Sequence, residues 1–312
     1  MRRIWLLLFL ALAAGLVLSL IVGPMGNAPQ WVILRLRLPR TAMAILAGSS
    51  LAVSGCLLQA VLRNGLATPY TLGISAGAGV TAGALLLSGT VMSRMLLVAA
   101  GTGGALATVA VVYLLARAAV GGGTGSRIVL AGVTLNLIGA SILLLFEYLS
   151  SASRLVEIIR WMMGDLSAVD AQLPLYLLPF TLMGLAAAGA RAGVLNQLES
   201  GTSLAASRGV AIARERNLLL AAAALLAGGT VGAVGPVGFV GLIVPHMMRR
   251  VVGGDYRRLV WASAVGGAVL LLLADVISRV VISPAELPIG VVMSLLGGPF
   301  FLYLLLRGKR RS

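Results

Sequence analysis

The chain lacks the residues from which most soluble enzymes are assembled. Its 312 residues include one cysteine (Cys56), one histidine (His246), one lysine (Lys309) and nine acidic side chains. A single cysteine excludes an intramolecular disulfide, and its place inside an apolar run says little about compartment. A lone histidine, with no second His and no nearby Cys, cannot complete a zinc site. A phosphate-binding loop of the form GxxxxGK[ST] needs a lysine, and Lys309 sits in the terminal tail, so that motif is absent. No serine nucleophile motif accompanies His246, which leaves an intramembrane enzyme without a nucleophile–base pair. Charged residues make up only 11% of the chain, whereas soluble domains carry about 25%.

What the chain has instead is apolar surface. Hydrophobic residues make up 59% of it, with a mean hydropathy of +1.03. The apolar segments are continuous runs of about 20 residues, the length of a helical bilayer crossing, whereas barrel strands alternate over about 10. Only helices or closed barrels satisfy every backbone polar group in hydrocarbon. The composition therefore predicts an all-α polytopic membrane protein, a single domain over residues 1–312. Ten spans are expected, at about 4–23, 31–62, 70–87, 95–116, 128–149, 173–190, 217–234, 239–248, 259–281 and 289–306. The first resembles a signal peptide in its Arg2-Arg3 start. Its apolar region outruns the usual length, however, and no cleavage site closes it.

An even number of spans puts both termini on one side. With that side cytoplasmic, all but seven of the 24 cationic residues fall inside, following the positive-inside rule. The seven exceptions are Arg35, Arg37, Arg40, Arg94, Arg154, Arg160 and Arg279. The net charge of +15 is thus arginine at the ends of apolar runs, suited to anionic headgroups rather than to nucleic acid.

Two loops hold most of the polar sequence. The outer one, residues 150–170, is amphipathic and predicts a short surface helix. The inner one, 191–216, carries Ser203-Leu204-Ala205-Ala206 between Gly201 and Gly209. It is either a helix that docks in a partner's groove or a solvated connector. The stretch GPVGFVGLIVPHMMRRVVGG, from Gly235 to Gly254, is short for a crossing and is punctuated by Gly and Pro, as mobile parts of transporters are. His246 within it is expected to cap or hydrogen-bond at the inner helix end. A weak internal echo links AGSSLAVSG (47–55) to AGGTVGAVG (227–235) and GLATP (65–69) to GLIVP (241–245), in opposite directions across the membrane.

Some polar residues admit two readings. Asp275 lies in an apolar run, where an acid is costly; it either pairs with Arg279 one turn on or, together with Glu147, serves an ion-coupled secondary carrier. Glu286 is expected to cap the last helix or order the outer loop. Trp161, Met162 and Met163 either line an outer vestibule or form an interfacial belt.

Four strings together resemble one family. They are LRLPRTAMAILAGSSLAVSGCLLQAVLRNGLATPYTLGISAGA, GTSLAASRGV, GPVGFVGLIVPHMMRRVVGGDYR and LLLADVISRVVISPAELPIGVVMSLLGGPFFLYLLLR. In this order they are similar to the signatures of the permease subunits of ABC importers for iron chelates, haem and cobalamin. Gly65 and Arg208 depart from the usual proline and leucine. The resemblance implies a homodimer in the inner membrane of a bacterium or archaeon, with both termini cytoplasmic. It implies no cofactor in this chain; two partner ATPase subunits would bind ATP and Mg. It places Gly201, Leu204, Ala205 and Gly209 in the ATPase groove, with Ala205 and Gly209 allowing close approach. Arg37, Arg40 and Arg279 would dock a periplasmic or lipid-anchored substrate-binding protein through its glutamates. Gln59 and Asn64 would line the translocation path, with Trp161 and Met162 as further candidates.

Overall fold

The structure, a computed structural model, describes residues 2–23, 29–89, 93–118, 124–167 and 171–308. Lys309 and most of the loop expected after the first span lie outside them. The described residues form thirteen helices and no strand: α1 (Arg2–Ile21), α2 (Gln30–Leu62), α3 (Ile74–Ser88), α4 (Arg94–Ala118), α5 (Thr124–Leu149), α6 (Ala152–Met162), α7 (Leu173–Ala190), α8 (Ala192–Glu199), α9 (Thr202–Ser207), α10 (Ile212–Val234), α11 (Val240–Val252), α12 (Tyr256–Val280) and α13 (Ile289–Gly308). Seven of them (α1, α2, α4, α5, α7, α10 and α12) contain stretches long and apolar enough to cross a membrane. The other three expected crossings correspond to α3, α11 and α13. The protein is a multi-pass helical membrane protein.

Helix α2 is the hub. It is continuous through Pro39, which cannot donate to the carbonyl four residues back; the turn just before it, Ile33–Arg37, widens into a π-helix that accommodates the gap. Along its buried length, small hydroxyl side chains bond to neighbours. Ser49 donates to the Ala264 carbonyl (2.9 Å), Ser50 shares a hydrogen bond with Thr181 (2.9 Å), and Ser54 donates to the Ala223 carbonyl (2.8 Å). In lipid such bonds contribute about 1 kcal/mol each, since the hydrophobic effect does little between helices there.

Close approach comes from glycine pairs. A Cβ on Gly48 would run into the Gly267 carbonyl, and one on Gly55 into the Gly241 carbonyl, so α2 crosses both α12 and α11 backbone against backbone. The packing is internally symmetric. Helix α2 packs most extensively on α12 while α10 packs most extensively on α4, and the pairs α3–α4, α3–α5 and α3–α10 are matched by α11–α12, α11–α13 and α11–α2. Two sets of five helices, α1–α5 and α7 with α10–α13, thus repeat one arrangement. The echo between 47–55 and 227–235 falls on corresponding helices, α2 and α10. The GLATP–GLIVP echo does not align, because the first is irregular chain and the second lies inside α11.

Each half also contains one broken crossing. Helices α3 (15 residues) and α11 (13 residues) rise only about 22 and 20 Å at 1.5 Å per residue, against a hydrocarbon core of about 30 Å. Irregular chain, 63–73 before α3 and 235–239 before α11, covers the rest. Both short helices start on a residue of positive φ, Gly73 at 71° and Phe239 at 66°. Gly235 sits against the Trp161 carbonyl, whereas Gly241 meets Gly55 and accepts from Gln59 (3.1 Å) well along α2, so the segment between them descends into the bundle.

Candidate functional site

Three regions carry the polar chemistry. The first lies at the end of the bundle where α1 terminates. Arg40 reaches from α2 to two carboxylates, donating from Nε to Asp275 Oδ1 (2.7 Å) and from Nη1 to Glu286 Oε2 (2.6 Å). Arg279 Nη2 lies 2.8 Å from Asp275 Oδ2, an ion pair whose angles fall outside hydrogen-bond geometry. Its Nη1 donates to the carbonyls of Ser19 and Val22 (3.0 and 3.1 Å). Arg37 donates to the carbonyls of Leu20 and Ile21 (2.8 and 2.6 Å), which the end of α1 leaves without intrahelical partners. One acid with two arginines in the interior is a charge arrangement that only mutual pairing makes tolerable.

These three arginines are the ones expected at a docking rim. Arg37 and Arg279 are 7% and 3% exposed, so their guanidiniums tie α1 to α2 and α12 and present little to a partner. Arg40, 11% exposed, is engaged by this chain's own carboxylates. Glu286 pairs with Arg40 and so ties down the loop between α12 and α13, the second of its two expected roles, and the Asp275–Arg279 pairing is present as read from their spacing.

The second region is a cavity of about 560 Å³ between the two broken crossings and the start of α13. Thr68 and Tyr70 face it from the first irregular segment, Phe239 from the second, and Met162, Leu242 and Ser294 from α6, α11 and α13. Among the described residues that line it, none is charged. Phe239 holds a backbone conformation that bulky residues rarely adopt, with its ring against Gly297. Met162 is therefore on this cavity, and Trp161, one position back, lines a separate cavity on the far side of α6. Gln59 and Asn64 are not on it. Gln59 is buried and holds the first turn of α11, and Asn64 is exposed and accepts from Leu66 N (2.9 Å) to shape the turn after α2. His246 lies in the middle of α11, and its Nε2 is buried with no hydrogen-bond partner, so it does not cap the helix end.

The third region is the opposite end, where α8 and α9 project. Helix α9 is bounded by Gly201 (φ 127°) and Gly209 (φ 82°). Leu204 and Gly209 are exposed on it, but Ala205 is fully buried against its own chain. In a helix this short one side must face inward, and the apolar methyl of Ala205 takes that side. Helix α8 is bonded to the neighbouring crossings. Asn196 donates to Asp255 Oδ1 (2.7 Å) and accepts from Tyr256 N (2.8 Å); Glu199 pairs with Arg249, and Arg249 also donates to the Tyr256 hydroxyl (2.8 Å). Asp255 caps α12 by accepting from Arg257 N (3.0 Å). The hydrogen bonds from Asn196 and from the Arg257 N–H hold the Asp255 carboxyl below its ordinary range.

Comparison with known proteins bears on what these regions do. The model of the FecCD transport family matches residues 4–307. This chain belongs to the FecCD transport family. It is 36% identical over 294 residues to the hemin transport system permease protein HmuU of Yersinia pestis, covering 91% of this chain and 86% of that protein. It is 38% identical over 314 residues to the vitamin B12 import system permease protein BtuC of Yersinia enterocolitica, covering 97% of this chain and 92% of that one. Among solved structures, a metal-chelate type ABC transporter in an inward-facing conformation superposes with a TM-score of 0.90 at 28% identity, covering 98% of this chain and all of that one.

Proposed function

We propose that this chain is the permease subunit of an ATP-driven importer of a metal chelate or corrinoid, and that it works as a homodimer with two ATPase subunits and one substrate-binding protein. The observation that carries the reading is a continuous mechanical connection. Helix α9 leads through α8 to Arg249, Asp255 and Tyr256, and so to α11 and α12. The far end of α11 is Phe239, on the cavity wall. A force applied at Leu204 thus reaches the broken crossing without passing through a covalent step. The ATPase groove would take Leu204 and the Gly201 and Gly209 turns, with Ala205 as the inward support of that helix.

The membrane in this reading is the inner membrane, with both termini cytoplasmic. The binding protein docks at the Arg40 end, where acidic groups on its lobes compete with Glu286 for the Arg40 fork; Arg37 and Arg279 shape that surface from beneath. A large chelate suits an uncharged wall, since fixed charge there would hold it in place. The second copy packs on the exposed apolar faces of α5 and α13, which include Leu130, Leu137, Leu295 and Leu302. A proton-coupled carrier is the weaker reading, because Asp275 is already paired with two arginines.

The experiment is reconstitution in liposomes with the ATPase and the loaded binding protein. Uptake of haem, ferric chelates and cobalamin is measured with ATP inside, and separately with a proton gradient alone. ATP-dependent uptake of one of them supports the proposal; uptake driven by the gradient with no ATPase present overturns it.

A further inference from the structure

A second cavity, of about 460 Å³, lies beneath α6 and away from the transport route. Its volume is within the range of about 300–1,000 Å³ in which small-molecule sites fall. It is lined by helix ends: Leu86 near the end of α3, Arg94 at the start of α4, Leu173 at the start of α7 and Ala233 at the end of α10. Residues at the ends of crossings lie at headgroup depth. Next in sequence to the lining residue Arg94 and two past Leu173, the apolar side chains of Met95 and Leu175 are 55% and 65% exposed.

The polar lining is balanced. Arg94 and Arg160 supply two cations, Glu157 and Asp165 two carboxylates. Among the described residues, neither arginine has an ion-pair partner, in contrast to Arg40, Arg191, Arg249 and Arg279. Trp161 also lines the cavity, and its buried indole N–H lacks an acceptor. Two of the seven arginines that go against the positive-inside pattern, Arg94 and Arg160, meet here.

We infer that this cavity binds the headgroup of one zwitterionic aminophospholipid, of the phosphatidylethanolamine type. Arg94 and Arg160 take the phosphate, since guanidinium forks match its oxygens. Glu157 and Asp165 take the ammonium, and an acyl chain leaves past Val156 and Leu173 to the exposed side chains of α4 and α7. An anionic lipid would satisfy the arginines but set its charge against two carboxylates. The site does not depend on the transport reading.

The test uses the purified full-length protein in detergent, with lipid binding followed by native mass spectrometry. The expected result is one phosphatidylethanolamine per chain, bound at least 10-fold more tightly than phosphatidylglycerol. The double variant Arg94→Ala/Arg160→Ala loses that binding at least 10-fold, and Glu157→Gln brings the two lipids to near parity. Should the double variant fail to fold, Glu157→Gln decides alone, with its melting temperature as the check on folding. Equal affinity for both lipids in the parent protein overturns the inference. So does unchanged selectivity in Glu157→Gln, displacement by inorganic phosphate, which would mark a free-anion site, or displacement by a transported chelate.

Discussion

The buried acid Asp275 sets the terms for the residues around it. It is fully buried between Arg40 and Arg279, and removing its charge leaves Arg279 with no carboxylate partner and Arg40 with Glu286 alone. Breaking such a buried arrangement from one side costs about 3–5 kcal/mol. Asp275→Asn is therefore expected to lower the melting temperature of the detergent-solubilised protein markedly, while Glu286→Gln, at a site 28% exposed, changes it by the ~1 kcal/mol or less typical of solvent-exposed pairs. Equal effects of the two would contradict this ranking. At the other end, Asp255 gives a pH signature. Its pKa is lowered in the folded protein, so its contribution is complete above the unfolded-state value near 4 and is lost as pH falls through the lower folded value. Asp255→Asn should flatten the acid-side decline in stability below about pH 4 and leave the neutral range without a pH-dependent change.

Among the elements, the crossings of α2 with α11 and α12 are the most sensitive to side-chain size. Gly55→Ala and Gly48→Ala each place a methyl where a backbone carbonyl already lies, and overpacking of this kind costs about 1–3 kcal/mol. Gly238→Ala, with open space around it, is the control, and thermal unfolding of all three measures the contrast. These crossings also show how far the sequence could be read. Hydropathy located the seven helices long and apolar enough to cross, and the glycines and Pro245 marked α11, one of the two broken segments. What could not be read was the direction of a side chain. That Arg37 and Arg279 bond to carbonyls at the end of α1 is one example, because such a guanidinium leaves the same trace in the sequence as one facing a partner. The pairing of Arg40 with Asp275 and Glu286 joins positions more than 230 residues apart, and no local pattern announces it. Ala205 was assigned outward because its size fits a tight interface; that same size fits the interior, where it lies.

For the molecule as a whole, the question is how an event at α9 reaches the cavity. The shortest connection runs through the Glu199–Arg249 pair, which joins α8 to the end of α11, with Asn196 bracing Asp255 and Tyr256 beside it. Helix α11 is short and starts at a residue of unusual φ, so it can turn about Phe239 more readily than a full crossing could. If the pair transmits the stroke, Arg249→Glu should lower ATP-driven uptake about 10-fold or more in liposomes holding the full transporter. The reversed pair, Glu199→Arg with Arg249→Glu, should recover part of that loss, because it restores attraction across the same gap. The two single changes and the double one form a cycle in which the coupling is read directly. A double variant no better than the singles would mean that α8 moves α11 by packing alone. The Asn196 contact would then be the next to remove, since it holds α8 to α12 independently of charge.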